Sequence, residues 1–190
     1  FNKEKINIKK LNIDKANFFI LRSDIKKLSE LSNNKFVKKK IKINNSNIFL
    51  KDNLDEIITI IKINKAVLFF DDKKKLNLFN LKGSTFGIPF IFDFMSKNES
   101  VIKKQANIKI KSLNLNIFNE FIYDQNNSHS GKNIISFPNN TIKTKYDVKE
   151  MLMTFVSDNS KFNDSKIKYS GELLINPFNL DLDINLGNYK

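Results

Sequence analysis

Apolar and polar residues alternate along most of this chain with a period of two. Between Asn179 and Leu186 the alternation is complete: Leu180, Leu182, Ile184 and Leu186 oppose Asn179, Asp181, Asp183 and Asn185. Successive side chains of a strand point to opposite faces, so such a segment has one aliphatic face and one polar face. Ile41 and Ile43 alternate with Lys40, Lys42 and Asn44. Ile108 and Ile110 alternate with Lys109 and Lys111, and Leu113, Leu115 and Ile117 with Asn114 and Asn116. Turn signals recur roughly every 8–12 residues, which gives about a dozen short strands. Connections this short cannot make parallel crossovers, so the sequence predicts a mainly β, antiparallel fold.

Other segments refine this reading. Ile57 to Ile63 and Ala66 to Phe70 are nearly continuous apolar runs, and Asn64-Lys65 reads as a break between two strands. Asn17 to Leu21 is a short strand after a turn at Asp14-Lys15. Ser23 offers an N-cap, Asp24 an acidic first turn, and Ile25, Leu28 and Leu31 follow at helical spacing before Asn33-Asn34. This predicts one short helix near 24–32. Val148 to Val156 fits either a helical stripe or a strand and is read as strand. The Asp124 to Lys132 stretch, rich in Asn, Ser and Gly, reads as a loop.

A longer pattern occurs twice. Gly83, Pro89 and Phe90 match Gly171, Pro177 and Phe178 at an offset of 88 residues, each set followed by an alternating strand. Fixed-offset similarity signals repeated structural units. It divides the chain into a first unit at 1–95, a polar connecting loop at 96–105 and a second unit at 106–190. Glycine inside a strand marks a bulge, a bend or close approach of another backbone, and proline belongs at a strand start, edge or bulge. Gly83, Pro89, Gly171 and Pro177 therefore read as structural corners. On this pattern Ile88, Phe90, Phe92 and Phe94 share one face of the first copy, and Phe178, Leu180, Leu182, Ile184 and Leu186 one face of the second.

Charge and chemistry narrow the function. The 190 residues carry 33 Lys+Arg against 20 Asp+Glu, a net charge of +13. An anionic partner, nucleic acid or a phospholipid surface, fits that balance, but the lysines and asparagines read first as a solvated face. Arg22 is nevertheless the only arginine, and bidentate reading of guanine or phosphate leans on arginine, so no nucleic-acid partner is expected. Absence of cysteine removes disulfides and thiolate metal sites. No apolar run approaches the ~20 residues of a spanning helix. His129, the only histidine, falls in the loop reading. Asp71-Asp72 are neighbours whose side chains diverge on a strand, Asp181 and Asp183 share a solvated face, and Gly131-Lys132 lacks the upstream glycine of a phosphate loop. No catalytic residue, metal site or cofactor is expected, and the chain is read as non-enzymatic. It begins at Phe1 and is read as a segment of a longer protein.

The aliphatic faces must be covered, and one short helix cannot cover a dozen strands. Three solutions remain: a β-sandwich, a closed barrel, or a curved sheet whose apolar lining meets lipid.

The Ser-capped segment Ser23 to Leu31, the run Lys40 to Leu50, Lys82-Gly83 through Phe86-Gly87 to Pro89-Phe90, and Tyr169 to Leu182 together resemble the AsmA-like proteins of Gram-negative bacteria. The resemblance implies an elongated, curved antiparallel β-groove of repeated units. It implies a periplasmic protein held at the inner membrane by an anchor outside this segment. The implied partner is phospholipid, whose acyl chains are shielded between inner and outer membranes. Ile88, Phe90, Phe92, Phe94, Phe178, Leu180, Leu182, Ile184 and Leu186 would line the groove. The alternative is a structural or adhesive β-sandwich in which the same residues form a closed core.

Overall fold

The computed structural model describes residues 11–98, 101–123, 129–163, 165–174 and 177–186, apart from 25, 26, 28, 29 and 31. The fold is mainly β, as the alternation predicts. The chain divides into two compact units, 1–87 and 88–190. This differs from a division around a 96–105 loop. Ser96 and Lys97 continue one strand and Ile102 to Gln105 begin the next, so most of that polar stretch lies inside the second unit's sheet.

The first unit contains β1 (Leu11–Asp14), β2 (Asn17–Leu21), β3 (Ile41–Lys51), β4 (Ile57–Asp71) and β5 (Leu76–Thr85). β3, β4 and β5 are antiparallel neighbours. β1 and β2 both run parallel to β3, Leu11 opposite Ile41 and Asn17 opposite Asn47. The purely antiparallel expectation fails here because residues 22–40 separate β2 from β3, long enough for a crossover. Asp24, Lys27 and Glu30 are helical within it, and Lys27 Nζ meets Asp24 Oδ1 at 2.8 Å. The apolar positions Ile25, Leu28 and Leu31 of the expected helix lie outside the described residues.

Asn64-Lys65 is a bulge, not a break. β4 continues through it, and its register to β5 shifts between Ile63 and Lys65. An extra residue flips the side-chain phase. Ile61 and Ile63 therefore share a face with Ala66, Leu68 and Phe70. Ile63, Ala66, Phe70 and Leu81 are buried on this face. The crossover is fastened at one end of it by Asn77, 1% exposed. Asn77 accepts the Phe36 N–H at 2.8 Å and donates to the Ser32 and Asn34 carbonyls at 3.2 and 2.8 Å.

The second unit is an antiparallel meander: β6 (Ile88–Asn98), β7 (Ile102–Ile110), β8 (Leu115–Tyr123), β9 (His129–Phe137), β10 (Asn140–Lys149), β11 (Leu152–Phe162), β12 (Ser165–Leu174) and β13 (Asn179–Leu186). Each strand pairs with the next. Leu113 sits in a 3-10 turn (Lys111–Leu113), not in a strand. Val148 to Val156 is strand on both sides of a tight turn at Glu150-Met151, with Glu150 at φ 53°. His129 opens β9 instead of lying in a loop. Residues 124–128 of that expected loop lie outside the described residues.

Gly83 and Gly171 meet the close-approach expectation by different means. Gly83 lies opposite Ile63, at the β4 bulge, and an added Cβ would stand 2.3 Å from the Lys62 carbonyl oxygen. At Gly171 a Cβ would stand 2.2 Å from the Asp181 carbonyl oxygen and 2.7 Å from the Phe155 ring. Pro89 is inside β6, whereas Pro177 is in the turn before β13, so the two copies align only as strand, turn, strand.

Candidate functional site: the apolar face of the second unit

Cross-strand partners share a face, so the register of the second unit can be followed from β6 to β13. One row runs Ser96, Lys104, Phe121, Gly131, Tyr146, Phe155, Gly171, Leu182 without interruption. By alternation Phe92 and Phe94 lie on the Ser96 face, and Leu180, Ile184 and Leu186 on the Leu182 face. The sequence-predicted residues of β6 and β13 thus occupy one face of the second unit's strands, on the first and the last of them. Phe178 does not join them: it sits in the turn before β13 and is 76% exposed.

The strands between supply residues that the sequence reading did not assign to the site. Phe92 faces Ile108, Ile108 faces Ile117, Ile117 faces Ile135 and Ile135 faces Ile142. This is a ladder of β-branched residues behind one phenylalanine, packed side to side across five strands. Its signal was present, because Ile108 alternates with Lys109 just as the β13 residues alternate with Asn and Asp. All five side chains are half-buried. Val148 is the one buried hydrophobic residue among the described residues of this unit. At the β13 edge Leu180 is 48% and Leu182 43% exposed.

Polar groups on this face are paired among themselves. Tyr146 donates its hydroxyl to Asn119 Oδ1 at 2.9 Å, and the Thr144 and Tyr169 hydroxyls share a hydrogen bond. Burial pushes the Tyr146 phenol up from its ordinary pKa. Lys104 is 2% exposed, with Nζ 5.2 Å from the Tyr123 ring centroid, and desolvation pushes its ammonium pKa down. Ser157 and Ser160 flank the β11 bulge and share a hydrogen bond of 2.7 Å, with Ser160 Oγ accepting the Lys143 N–H at 2.8 Å.

The opposite face mixes apolar residues such as Phe118 and Ile134 with paired charges. Glu120 sits between Lys103 Nζ at 2.8 Å and Lys132 Nζ at 3.2 Å and also accepts the Gln105 amide. Lys103 above all, then Gln105 and Lys132, hold its carboxyl down to about 2 against the opposing effect of burial. A cleft where these strands end is lined by residues of both faces, among them Ile122, Ser130, Asp147 and Leu152 together with His129 and Val148. The His129 ring lies 5.3 Å from that of Tyr123 at a tilt of 40°, and alternation places Tyr123 on the apolar face, so the imidazole and the Asp147 carboxylate are on opposite sides of the sheet. Among the described residues no cluster of three His, Cys, Asp or Glu side chains is placed to hold a metal ion.

Comparison with family models, with curated proteins and with solved structures finds no match to this chain.

Proposed function

We propose that the second unit binds lipid: its apolar face shields phospholipid acyl chains, and the segment acts without catalysis. The observation that carries this reading is the half-buried ladder Phe92, Ile108, Ile117, Ile135, Ile142, on the same face as Leu180 and Leu182 of β13. Apolar surface gains about 25 cal/mol per Å² on leaving water, and an acyl chain lying along these rows covers what the side chains leave exposed. The face offers width but few unpaired polar groups, which suits a hydrocarbon chain better than a polar small molecule. Contiguous open apolar surface of this kind marks interaction sites in folded proteins. A closed adhesive module, the competing reading, places these rows in a dry core; the half-buried side chains of the ladder favour the open face.

The fuller proposal follows the AsmA-like resemblance. The segment belongs to a periplasmic protein of a Gram-negative bacterium, anchored at the inner membrane outside these residues, that carries phospholipid between the two membranes. Vesicles containing fluorescent phosphatidylethanolamine test the binding step. The chain is expected to withdraw labelled lipid, and Phe92→Asp to lose that activity while keeping its circular dichroism. Withdrawal that Phe92→Asp leaves unchanged would place the lipid elsewhere.

A further inference from the structure

We infer that the end of the second unit formed by the β7–β8, β9–β10 and β11–β12 turns docks on an anionic phospholipid bilayer and is where lipid enters the apolar face. The entry step rests on the lipid-shielding reading; the docking does not. Each turn has an apolar residue at the surface, within it or next to it. Leu113, in the 3-10 turn, is 52% exposed, Pro138 is exposed, and Phe162, the last residue of β11, is 44% exposed. The Phe162 and Phe137 ring centroids are 6.4 Å apart. These turns join neighbouring strands, so a further strand beside β13 would leave Leu113 and Pro138 as they are. The ladder begins one step behind them. By alternation Ile110, Leu115 and Phe137 lie on its face, between it and the turns, and all three are half-buried. On its other side stand Asn119, Asn133 and Thr144. An acyl chain crossing this end reaches the ladder over apolar side chains, whereas one from the opposite end would pass that amide and hydroxyl row.

Charge specifies the partner. On the face away from the ladder, the row beside the turns runs from Ile91 through Lys109, Ser136 and Thr141 to Lys161 and Lys166. Lys111 lies in the 3-10 turn itself. Among the described residues this row and its turns hold four lysines and no carboxylate. Lys161 and Lys166 stand directly opposite each other, a like-charge pair that an anionic surface relieves. The corresponding row towards the other end runs from Lys97 and Lys103 through Ser130 to Asp147, Glu172 and Asp181, and there carboxylates outnumber lysines. A cleft between the turns is lined by Asn114, Ser136, Pro138, Thr141 and Lys161, which brings two hydroxyls and an ammonium to where a headgroup phosphate would rest. Lysines near an anionic bilayer are attracted to it, and apolar residues beside them settle among the headgroups.

The test uses the full chain and vesicles of phosphatidylcholine with or without phosphatidylglycerol. The chain has no tryptophan, so Leu113→Trp and Met151→Trp each place a single reporter, the first at this end and the second in the β10–β11 turn at the other. With phosphatidylglycerol present, Leu113→Trp is expected to shift its emission to the blue and to be quenched by brominated lipid, and Met151→Trp to do neither. Lys111→Glu/Lys166→Glu is expected to weaken partition onto these vesicles by about tenfold or more. Lys145→Glu/Lys149→Glu, the same charge change elsewhere on the unit, is expected to weaken it by less than about threefold. Unchanged unfolding midpoints check that the sheet survives each substitution. Phe92→Asp is expected to dock like the parent chain while losing lipid withdrawal, so docking without withdrawal counts against shielding alone. Quenching of Met151→Trp in place of Leu113→Trp, equal partition onto pure phosphatidylcholine vesicles, or equal loss with the two lysine pairs would each overturn the proposal.

Discussion

The ring of Tyr146 occupies the space over Gly131. A Cβ at residue 131 would stand 2.5 Å from both Tyr146 Cζ and the phenol oxygen, and 2.4 Å from the Glu120 carbonyl oxygen. Phe155 stands over Gly171 in the same way, two strands further along the same row. The glycines let large aromatic rings lie down across the sheet, which keeps this face level between the aliphatic rows. Gly131→Ala and Gly171→Ala are each expected to destabilise the second unit by about 1–3 kcal/mol, because backbone and ring must both shift. A lowered urea midpoint with an unchanged slope checks this.

Glu120 makes stability depend on pH. Its carboxyl falls from an ordinary value of 4.5 to about 2 in the folded chain. A folded value below the unfolded one means that the stabilisation is present above pH 4.5 and is lost as pH falls towards 2. Lys103 and Lys132 are 45% and 49% exposed, and solvent screening reduces the contribution to about 1–2 kcal/mol. Glu120→Gln is expected to be less stable than the parent chain at pH 7 and to match it near pH 2. Unfolding midpoints measured across that range would show the two curves converging.

Asn77 fixes the crossover of the first unit with one acceptor and two donor contacts from a position almost without exposure. Removing its amide strands the Phe36 N–H and leaves two carbonyls short of a donor. Asn77→Ala is expected to cost about 2–3 kcal/mol and to speed hydrogen exchange at the Phe36 amide. Exchange measured residue by residue separates this local release from global unfolding.

The strands were legible because alternation is a local property, and β13 reads the same alone as in the sheet. The pairing of β1 and β2 with β3 was not, because direction is set by where the 22–40 crossover lands, and no short window of sequence carries that. Asn64-Lys65 looks like a turn locally, since asparagine suits both turns and bulges; only the two flanking strands, paired through it, decide for the bulge. The site was half legible. Phe92 and Leu182 were placed on apolar faces by their spacing, but that the two faces are one depends on the seven registers from β6 to β13. Gly131 carried no sequence signal apart from Lys132, because its reason is Tyr146, fifteen residues away. Phe178 was misplaced by treating the Pro-Phe pair as the start of a strand at both copies, when the second pair forms the turn.

Lipid shielding by the second unit is tested most directly by native mass spectrometry, with lipid extraction, of the chain purified from cells that make phospholipid. Phospholipid is expected to be bound at stoichiometric levels and to be lost in Phe92→Asp with the unfolding transition retained. A lipid-free, cooperatively folded monomer would contradict it, as would a Phe92→Asp chain that fails to fold because that side chain belongs to a closed core.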